Sequence, residues 1–445
     1  MSALDTAREH YLERFGAFEA GLASEPPWLG ALRARAIAAF AERGLPSTRM
    51  EEWHYTNVAA LAALHCEAPP RGAPVSREQL ESLAFPLFAC SLYAFVDGRF
   101  EPALSAPLTF PGGSRVDSLA ALRAGAAERV EPYLGRLVDV KSHPFAALNT
   151  AFLDDGAVVH APRGSHAEQP VHVVFLSTSQ PVPRVVHPRL LIVAEVGSRV
   201  TVIQDHVTLG EGPGFTNAVS EVWAGADSEV NLILVQRESD AHFHTSNLQV
   251  IAQRAARLHA STLTLGGALV RNDAEVLLSE EGAECTLNGL FVGGGDQVLD
   301  NHTLIDHAVP HCTSRELYKG VLGGRARGVF RGRVIVRPDA QKTNASQSNP
   351  NLLLSSSAEM NTKPQLEIYA DDVKCSHGTS IGQIDLEALF YLRSRGLDEA
   401  RARDLLTRGF ALEVLESLPV PVLGAGLDDV LVERLRALRP QESQR

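Results

Sequence analysis

A thiol and an imidazole lie two residues apart near the C-terminal end of the chain, at Cys375 and His377. Leu366 and Ile368 alternate with polar residues just upstream, which indicates a β-strand. In a strand, residues i and i+2 share a face, with Cα atoms about 7 Å apart. A thiolate beside an imidazole suits iron, sulfur or zinc, or nucleophilic chemistry. Two ligands do not complete a metal site, so a functional pair needs further ligands, from elsewhere or from another chain. Otherwise one or both side chains fill the interior of the fold.

A second histidine-rich stretch contains His302, His307 and His311, followed by Cys312. Its spacing matches no zinc pattern, and we interpret these residues as surface or stacked histidines. The sequence contains no P-loop, GxSxG, HExxH or dinucleotide fingerprint. We therefore find no self-contained catalytic motif.

The composition is typical of a soluble globular protein, with 45% hydrophobic and 21% charged residues among 445. A net charge of −12 argues against nucleic acid as the main partner, because phosphate neutralisation needs a basic face. The N-terminus lacks the apolar core of a signal peptide, and no apolar run approaches the roughly 18 residues of a membrane span. The five cysteines never form a CxxC pair. We therefore expect a cytoplasmic, reduced protein that contacts neither nucleic acid nor a membrane.

Amino-acid composition and hydrophobic periodicity divide the chain into three regions. Residues 1–156 are rich in Ala, Glu and Arg and predict a mainly helical N-terminal domain. Residues 157–383 contain short β-branched runs separated by Gly, Asp or Asn, which predict a β domain. After Gly382 the apolar period changes from 2 to about 3.6, so residues 384–445 predict a C-terminal helical domain. One helical face of that domain contains Ile384, Leu386, Leu389, Phe390 and Leu392.

Helix boundaries in the C-terminal region can be predicted from capping residues and prolines. Gly396 ends the first helix, and Asp398 is the predicted N-cap of a second helix that runs to about Ser417. Prolines at 419 and 421 break the pattern, and a last helix is predicted near residues 427–438.

A weak internal repeat lies inside the β region. Its first strand residues are Val200, Val230, Leu258 and Cys285, in steps of 30, 28 and 27 residues. About thirty residues per unit without helices fits one coil of a parallel β-solenoid, whereas a propeller blade needs roughly 40 or more. A jelly roll or a sandwich remains an alternative fold, because the repeat is irregular and cannot be followed after Gly289. The ends of a solenoid are open sheet edges, which the helical regions could cover or flank.

Several motifs resemble the SufD branch of the SufB/SufD family of iron–sulfur cluster assembly scaffolds. They follow the family order along the chain, and His54 is a departure, since the family often has Lys there. The matching segments are residues 51–56 (EEWHYT), 342–354 (KTNASQSNPNLLL), 363–367 (KPQLE), 371–378 (DDVKCSHG), 389–396 (LFYLRSRG) and 408–411 (RGFA).

This resemblance implies a right-handed parallel β-helix between helical domains. It also implies pairing with SufB through the β-helix, and docking of the ATPase SufC on the C-terminal helices around Phe390, Leu405, Gly409 and Phe410. His377 would lie at the SufB interface and act with a SufB cysteine on the nascent cluster, as a tentative metal ligand shared with the partner chain. Cys375 is the lesser candidate, and SufC would hold the ATP.

The function implied is therefore a non-catalytic scaffold subunit. Isolated, the chain is expected to hold no stable cofactor, because an iron–sulfur cluster would form transiently only with SufB. Monomer and homodimer both stay open for the isolated chain. The alternatives are a carbohydrate-active enzyme on a β-helix, such as a polysaccharide lyase, and a structural homo-oligomer. A lyase needs clustered carboxylates or basic residues on one solenoid face, and we identify no such set.

Overall fold

The computed structural model describes residues 2–22, 25–70, 72, 75–83 and 90–438. The helices in this part of the chain fall into an N-terminal and a C-terminal group on either side of a long β region. They are α1 (Ala3–Ala20), α2 (Pro27–Arg43), α3 (Ala59–Ala62), α4 (Arg77–Leu83), α5 (Leu119–Gly125), α6 (Pro144–Ala151), α7 (Leu386–Ser394), α8 (Glu399–Glu416) and α9 (Pro421–Ala437).

Strands make up most of the remainder. Those before the main β region are β1 (Ser91–Val96), β2 (Arg99–Phe100) and β3 (Arg115–Ser118). The next group is β4 (Ala157–Ala161), β5 (Val171–Thr178), β6 (Val185–Val186), β7 (Arg189–Ala194), β8 (Arg199–Leu209), β9 (Phe215–Ala224), β10 (Glu229–Gln236), β11 (Phe243–Ala252) and β12 (Arg257–Thr264). The last group is β13 (Leu269–Leu278), β14 (Glu284–Gly293), β15 (Val298–His307), β16 (Thr313–Leu322), β17 (Arg327–Val336), β18 (Asn344–Leu353), β19 (Glu359–Ile368) and β20 (Lys374–Gly382).

The strands form two facing sheets of a parallel β-solenoid with about eight turns. The first sheet has the order β2-β1-β5-β8-β10-β12-β14-β16-β18-β20, and the second the order β19-β17-β15-β13-β11-β9-β7-β4-β3. Successive strands of the chain alternate between the sheets, so each turn adds one rung to both. The predicted solenoid is confirmed, and the sandwich alternative is wrong because the pairing within each sheet is parallel between rungs.

The thirty-residue repeat corresponds to the register of the first sheet. Its four predicted positions pair directly with one another, and the column continues beyond residue 289, where the sequence pattern faded. The full column is Val200, Val230, Leu258, Cys285, Ser314, Ala345 and Cys375. All except Cys375 are buried, because each rung covers the one before it.

The two ends of the solenoid differ. At the N-terminal end, β2 pairs antiparallel with β1, and β3 pairs antiparallel with β4. At the C-terminal end, the sheets finish on β20 and β19. Because β1–β3 lie before residue 157 and join the sheets, part of the region that the sequence predicts to be mainly helical contributes strands. The boundaries at 156/157 and 383/384 stay predictions.

The helices lie against the faces of the solenoid. The second sheet packs on the N-terminal helices through Phe145 of α6, which meets Phe215 with ring centroids 5.6 Å apart. The first sheet packs on α8 and α9, whose buried residues share a cluster with Ile233 and Leu263. Both helical groups therefore flank the sheets, so the described residues leave the terminal edges of β19 and β20 without a helix over them.

The last two C-terminal helices begin at residues that favour a helix start, an aspartate N-cap and a proline. Asp398 is the N-cap of α8, as predicted, since its carboxylate accepts a hydrogen bond of 2.9 Å from the Arg401 amide. The last helix begins at Pro421, six residues before the predicted start, because proline at the first helical position loses no hydrogen bond there. None of the helices in the described ranges combines the length and apolar character that a membrane crossing requires.

Candidate functional site at the open end of the solenoid

The Cys–His pair lies on the last rung of the first sheet. Cys375 and His377 belong to β20, which pairs with β18 on one side, and no strand of the described residues pairs on its other side. Cys375 continues the inward-facing column described above, and His377 lies two residues further on the same face. Because no rung follows, Cys375 is half-buried and His377 is exposed.

The thiol packs into the apolar end of the solenoid interior. Cys375 contacts a buried cluster that includes Val334, Val336, Ala345 and Ala370. This burial raises the pKa of the Cys375 thiol, so the protonated form is favoured at neutral pH. As a result the pair combines a thiol that resists ionisation with an imidazole that faces solvent.

A polar column runs inward beneath His377. His377 is in register with Gln347 of β18, and Gln347 is in register with Glu316 of β16. The Gln347 amide donates a hydrogen bond of 2.5 Å to the Glu316 carboxyl group. Gln347 points into the interior, since a Cβ at Gly332 of the facing sheet would lie 2.1 Å from its Nε2.

Glu316 is an ionisable group inside this column. It is 4% exposed, and burial raises its pKa to about 7 against the lowering effect of the Gln347 hydrogen bond. One strand spacing is about 4.8 Å, so Glu316 lies roughly 10 Å below His377. The open end therefore has a carboxyl group that changes charge near neutral pH, two rungs under an exposed imidazole. Sequence reasoning missed Glu316 and Gln347, which the thirty-residue repeat would have located if it had been followed past Gly289.

The two terminal strands expose apolar side chains beside the pair. Ile381 of β20 and Ile368 of β19 are 49% and 41% exposed, and Tyr369 follows Ile368 at 62%. On earlier rungs the residues in register with Ile381 and Ile368 are buried, as Asn351 and Val336 show. The exposure at the last rung thus arises because the stack ends, not because the positions are polar.

The residues predicted for SufC docking lie on α7 and α8. Phe390 and Leu405 are 71% and 50% exposed, and Gly409 is also exposed. Phe410 is half-buried, with the Lys319 ammonium 4.4 Å from its ring centroid. The described helices thus place three of these four positions at the surface.

The predicted single apolar face of the first C-terminal helix is wrong in detail. Ile384 and Leu389 are buried against Leu352 of β18, whereas Leu386 and Phe390 face away and are exposed. Ile384 also precedes the helix, since Asp385 is its N-cap. A helix that contacts the solenoid on one side buries only that stripe, so the remaining apolar residues form a second, exposed stripe.

The second histidine stretch does not form one site. His302 lies 3.0 Å from Asp300 and contacts Arg271, while His307 is buried and lies 2.9 Å from the Ser314 hydroxyl. Burial lowers the pKa of His307 to about 4. His311 is exposed in a turn with a φ of 61°. Their separation agrees with the interpretation as stacked and surface histidines.

The fold and site define a helix-flanked parallel β-solenoid that presents a thiol–imidazole pair at its open end. Two family models match the chain: "SUF system FeS cluster assembly, SufBD core domain" over residues 175–410, and "SufBD protein N-terminal region" over residues 5–173.

Curated relatives agree with these matches. An iron–sulfur cluster assembly SufBD family protein of Synechocystis sp. is 36% identical over 387 residues, which cover 85% of each chain. The iron–sulfur cluster assembly protein SufD of Escherichia coli is 32% identical over 378 residues, covering 84% of this chain and 86% of that protein. SufD of Bacillus subtilis is 29% identical over 437 residues, covering 93% and 95%. This chain belongs to the SufBD family of iron–sulfur cluster assembly proteins.

Proposed function

We propose that this chain is a non-catalytic scaffold subunit of a Suf assembly complex in the cytoplasm. It pairs with SufB through the open end of its solenoid, docks the ATPase SufC on its C-terminal helices, and contributes His377 to nascent cluster assembly. The observation that carries the proposal is the exposed last rung, where interior positions and two strand edges lie uncovered among the described residues.

Strand edges carry backbone N–H and C=O groups that need a partner. The edges of β19 and β20 are long, and they lie beside the exposed apolar side chains Ile368 and Ile381. A second solenoid of the same family could add strands to both sheets at once and cover these side chains. The name of the SufBD family includes SufB, so SufB is expected to have the same kind of solenoid, which favours it as the partner at this end.

In this proposal the iron–sulfur cluster is assembled transiently between this chain and SufB at the open end of the solenoid. An exposed imidazole is a ready ligand for iron, whereas the raised pKa of Cys375 keeps that thiol protonated at rest. His377 is therefore the main contributor and Cys375 the lesser one. Because two side chains cannot complete a cluster, the remaining ligands come from SufB, and an isolated chain should show no cluster absorbance.

The exposed stripe on α7 supports docking of a partner. Leu386 and Phe390 lie one helical turn apart on this stripe and are 73% and 71% exposed, and Leu405 of α8 is 50% exposed. Contiguous exposed apolar residues mark protein-interaction surfaces. SufC docks there, and it binds and hydrolyses the ATP.

The pairing is tested with Ile381→Glu in the co-expressed complex. A carboxylate at the last rung should be buried unpaired in the seam, so SufB should be lost from the complex in native mass spectrometry. Val422→Glu is the matched control, because Val422 is 55% exposed on α9, whose buried residues pack on earlier rungs of the first sheet. Retention of SufB by Ile381→Glu at the level of the control would contradict the pairing.

The role of His377 is tested by anaerobic cluster reconstitution on the purified complex. His377→Ala should retain both partners but lose most of the cluster, and Cys375→Ala should lose less. Ser376→Ala is the control, because Ser376 is exposed on the same strand but points to the opposite face. Normal cluster yield with His377→Ala in an intact complex would remove this residue from the site.

The docking stripe is tested with Phe390→Asp, which should weaken SufC binding by roughly tenfold or more through loss of an apolar contact. Phe390→Leu keeps an apolar side chain and should retain most of the affinity. Both are measured by titration of SufC against the SufB-bound complex. Equal affinity of the Asp and Leu variants would place the docking surface elsewhere.

A further inference from the structure

A cleft lies between the N-terminal helical region and the outer face of the second sheet. Its volume is about 370 Å³, which is within the size range of small-molecule sites. None of the described residues of β19 or β20 lines it, so the cleft is separate from the open end. One wall comes from β9, β11, β13, β15 and β17, and the other comes from residues 43, 50, 52, 53 and 142–146.

Every carboxylate that lines the cleft lies close to a cationic side chain. The pairs are Asp273 with Arg271 at 2.8 Å, Glu275 with His143 at 2.8 Å, and Glu52 with Arg331 at 3.1 Å. Burial acts to lower the pKa of His143, but the Glu275 hydrogen bond and nearby carboxylates raise it overall, which favours the charged pair. Arg43, the last residue of α2, is exposed and forms no ion pair among the described residues. The cleft therefore has an excess of positive charge in a chain whose net charge is −12.

The N-terminus of α6 lies at the same cleft. The side chain of its N-cap, His143, makes no capping hydrogen bond, and Pro144 at the first helical position has no N–H. The Phe145 and Ala146 amides follow in the first turn, line the cleft, and donate to no other described residue. Free first-turn amides at the positive end of a helix dipole favour an anion.

A buried side-chain amide independently indicates a ligand in the cleft. Asn247 of β11 is 5% exposed, lines the cleft, and is in register with Asp273 on the outer face of the sheet. Its Oδ1 accepts a hydrogen bond of 3.1 Å from Gln249, but its Nδ2 is buried without a partner. An unsatisfied buried donor costs free energy, and an oxygen atom of a ligand in the cleft would remove that cost.

These donor groups come from three different elements but lie close together. The Arg43 guanidinium contacts the carbonyl oxygen of Ser142, two residues before α6 begins, at 3.5 Å. His143, the N-cap of α6, is bonded to Glu275 on β13, the strand that pairs with β11 beside Asn247. A single small ligand can therefore contact the guanidinium, the helix N-terminus and the amide.

The rest of the lining includes apolar side chains. Met50, Trp53, Phe145 and Leu304 contribute to it, and the Arg271 guanidinium lies 4.0 Å from the centre of the Trp53 ring. Apolar walls beside a small number of polar groups are typical of sites for organic ligands. The lining thus fits an anion with an organic body better than a bare inorganic ion.

We propose that this cleft binds a small organic oxyanion, a carboxylate or a phosphate monoester, whose charged group is held by Arg43, Asn247 and the first-turn amides of α6. The apolar walls contact the organic body of the ligand. Because the two walls come from different parts of the chain, the ligand also links the N-terminal helical region to the solenoid. The proposal does not depend on the role of His377.

The test titrates the full chain with benzoate and with phenyl phosphate, and binding is followed by saturation-transfer NMR of the ligand. Benzamide is the control, because it has the same ring without the charge. At least one anion should bind saturably with a millimolar Kd, as expected for about ten non-hydrogen atoms, and about tenfold more tightly than benzamide. The tighter anion separates a carboxylate ligand from a phosphate ligand. Equal binding of all three probes, or no saturable binding, would overturn the proposal.

Variants locate the binding. Arg43→Gln and Asn247→Leu should each weaken binding of the tighter anion by roughly fivefold or more, because each removes a donor to the charged group. Arg35→Gln is the matched control, since Arg35 is exposed on the same helix and does not line the cleft. Arg43 is exposed at a helix end, so its variant tests the site even if Asn247→Leu fails to fold. Unchanged affinity of Arg43→Gln, or an equal loss in Arg35→Gln, would place the binding elsewhere and overturn the proposal.

Discussion

The buried carboxyl group of Glu316 should make the stability of the isolated chain depend on pH in a defined direction. Its pKa is raised from 4.5 to about 7 by burial, so between these values the native state holds a proton that the unfolded state has released. Stability therefore falls as pH rises through this window. Glu316→Gln removes the ionisation while keeping a side chain that can pair with Gln347.

The magnitude follows from the two pKa values. A separation of this size corresponds to about 3.4 kcal/mol, of which about 2.5 kcal/mol accumulates between pH 5 and pH 8. The unfolding free energy of Glu316→Gln, measured relative to that of wild type, should thus rise by about 2.5 kcal/mol from pH 5 to pH 8. This change is expected even if the variant is less stable than wild type at pH 5.

Urea denaturation of the isolated chain at pH 5, 6, 7 and 8, followed by circular dichroism, measures this difference. Glu284→Gln is the control, because it makes the same chemical change at an exposed position of β14 in the same sheet. If the difference between Glu316→Gln and wild type stays constant within about 0.5 kcal/mol from pH 5 to 8, the raised pKa is refuted.

Two further predictions concern the packing that supports the site. Leu427 of α9 is fully buried against the first sheet, so Leu427→Ala should cost about 2–5 kcal/mol of unfolding free energy in urea, whereas Val422→Ala on the exposed side of α9 should cost little. Equal losses would mean that α9 is not docked on the sheet. A Cβ at Gly289 would lie 2.2 Å from the Tyr318 ring of the next rung, so Gly289→Ala should lower Tm, while Gly378→Ala, with nothing within 4 Å, should not. A thermal scan that ranks these glycine variants the other way would contradict the tight stacking of β14 on β16.

Much of the fold could be predicted from local pattern. The steps from Val200 to Cys285 follow the register of the first sheet, because a solenoid repeats one backbone unit and places equivalent residues over one another. The prediction weakened after Gly289, where the column continues with a polar residue, Ser314, and a small residue, Ala345. The strand register continues where the residues of the column are no longer large and apolar, so a search for hydrophobic residues alone cannot follow the repeat.

The candidate site could be predicted only in part. Sequence pattern placed Cys375 and His377 on one strand face, but it could not show that the strand is the last rung. The order of the strands in each sheet determines which strand edge is free and therefore which interior positions are exposed. It also determines that Glu316 lies beneath His377, since 61 residues of chain separate them.

The amino-acid sequence alone determined the repeating strand unit, the helix caps and the family motifs, because these depend on neighbours within about thirty residues. Only the tertiary structure decided which stripe of α7 faces the solenoid, where the stack ends, and that Glu316 lies two rungs beneath His377. The physical reason is that burial, and with it the pKa of a group such as Glu316, depends on contacts between rungs whose residues lie far apart along the chain.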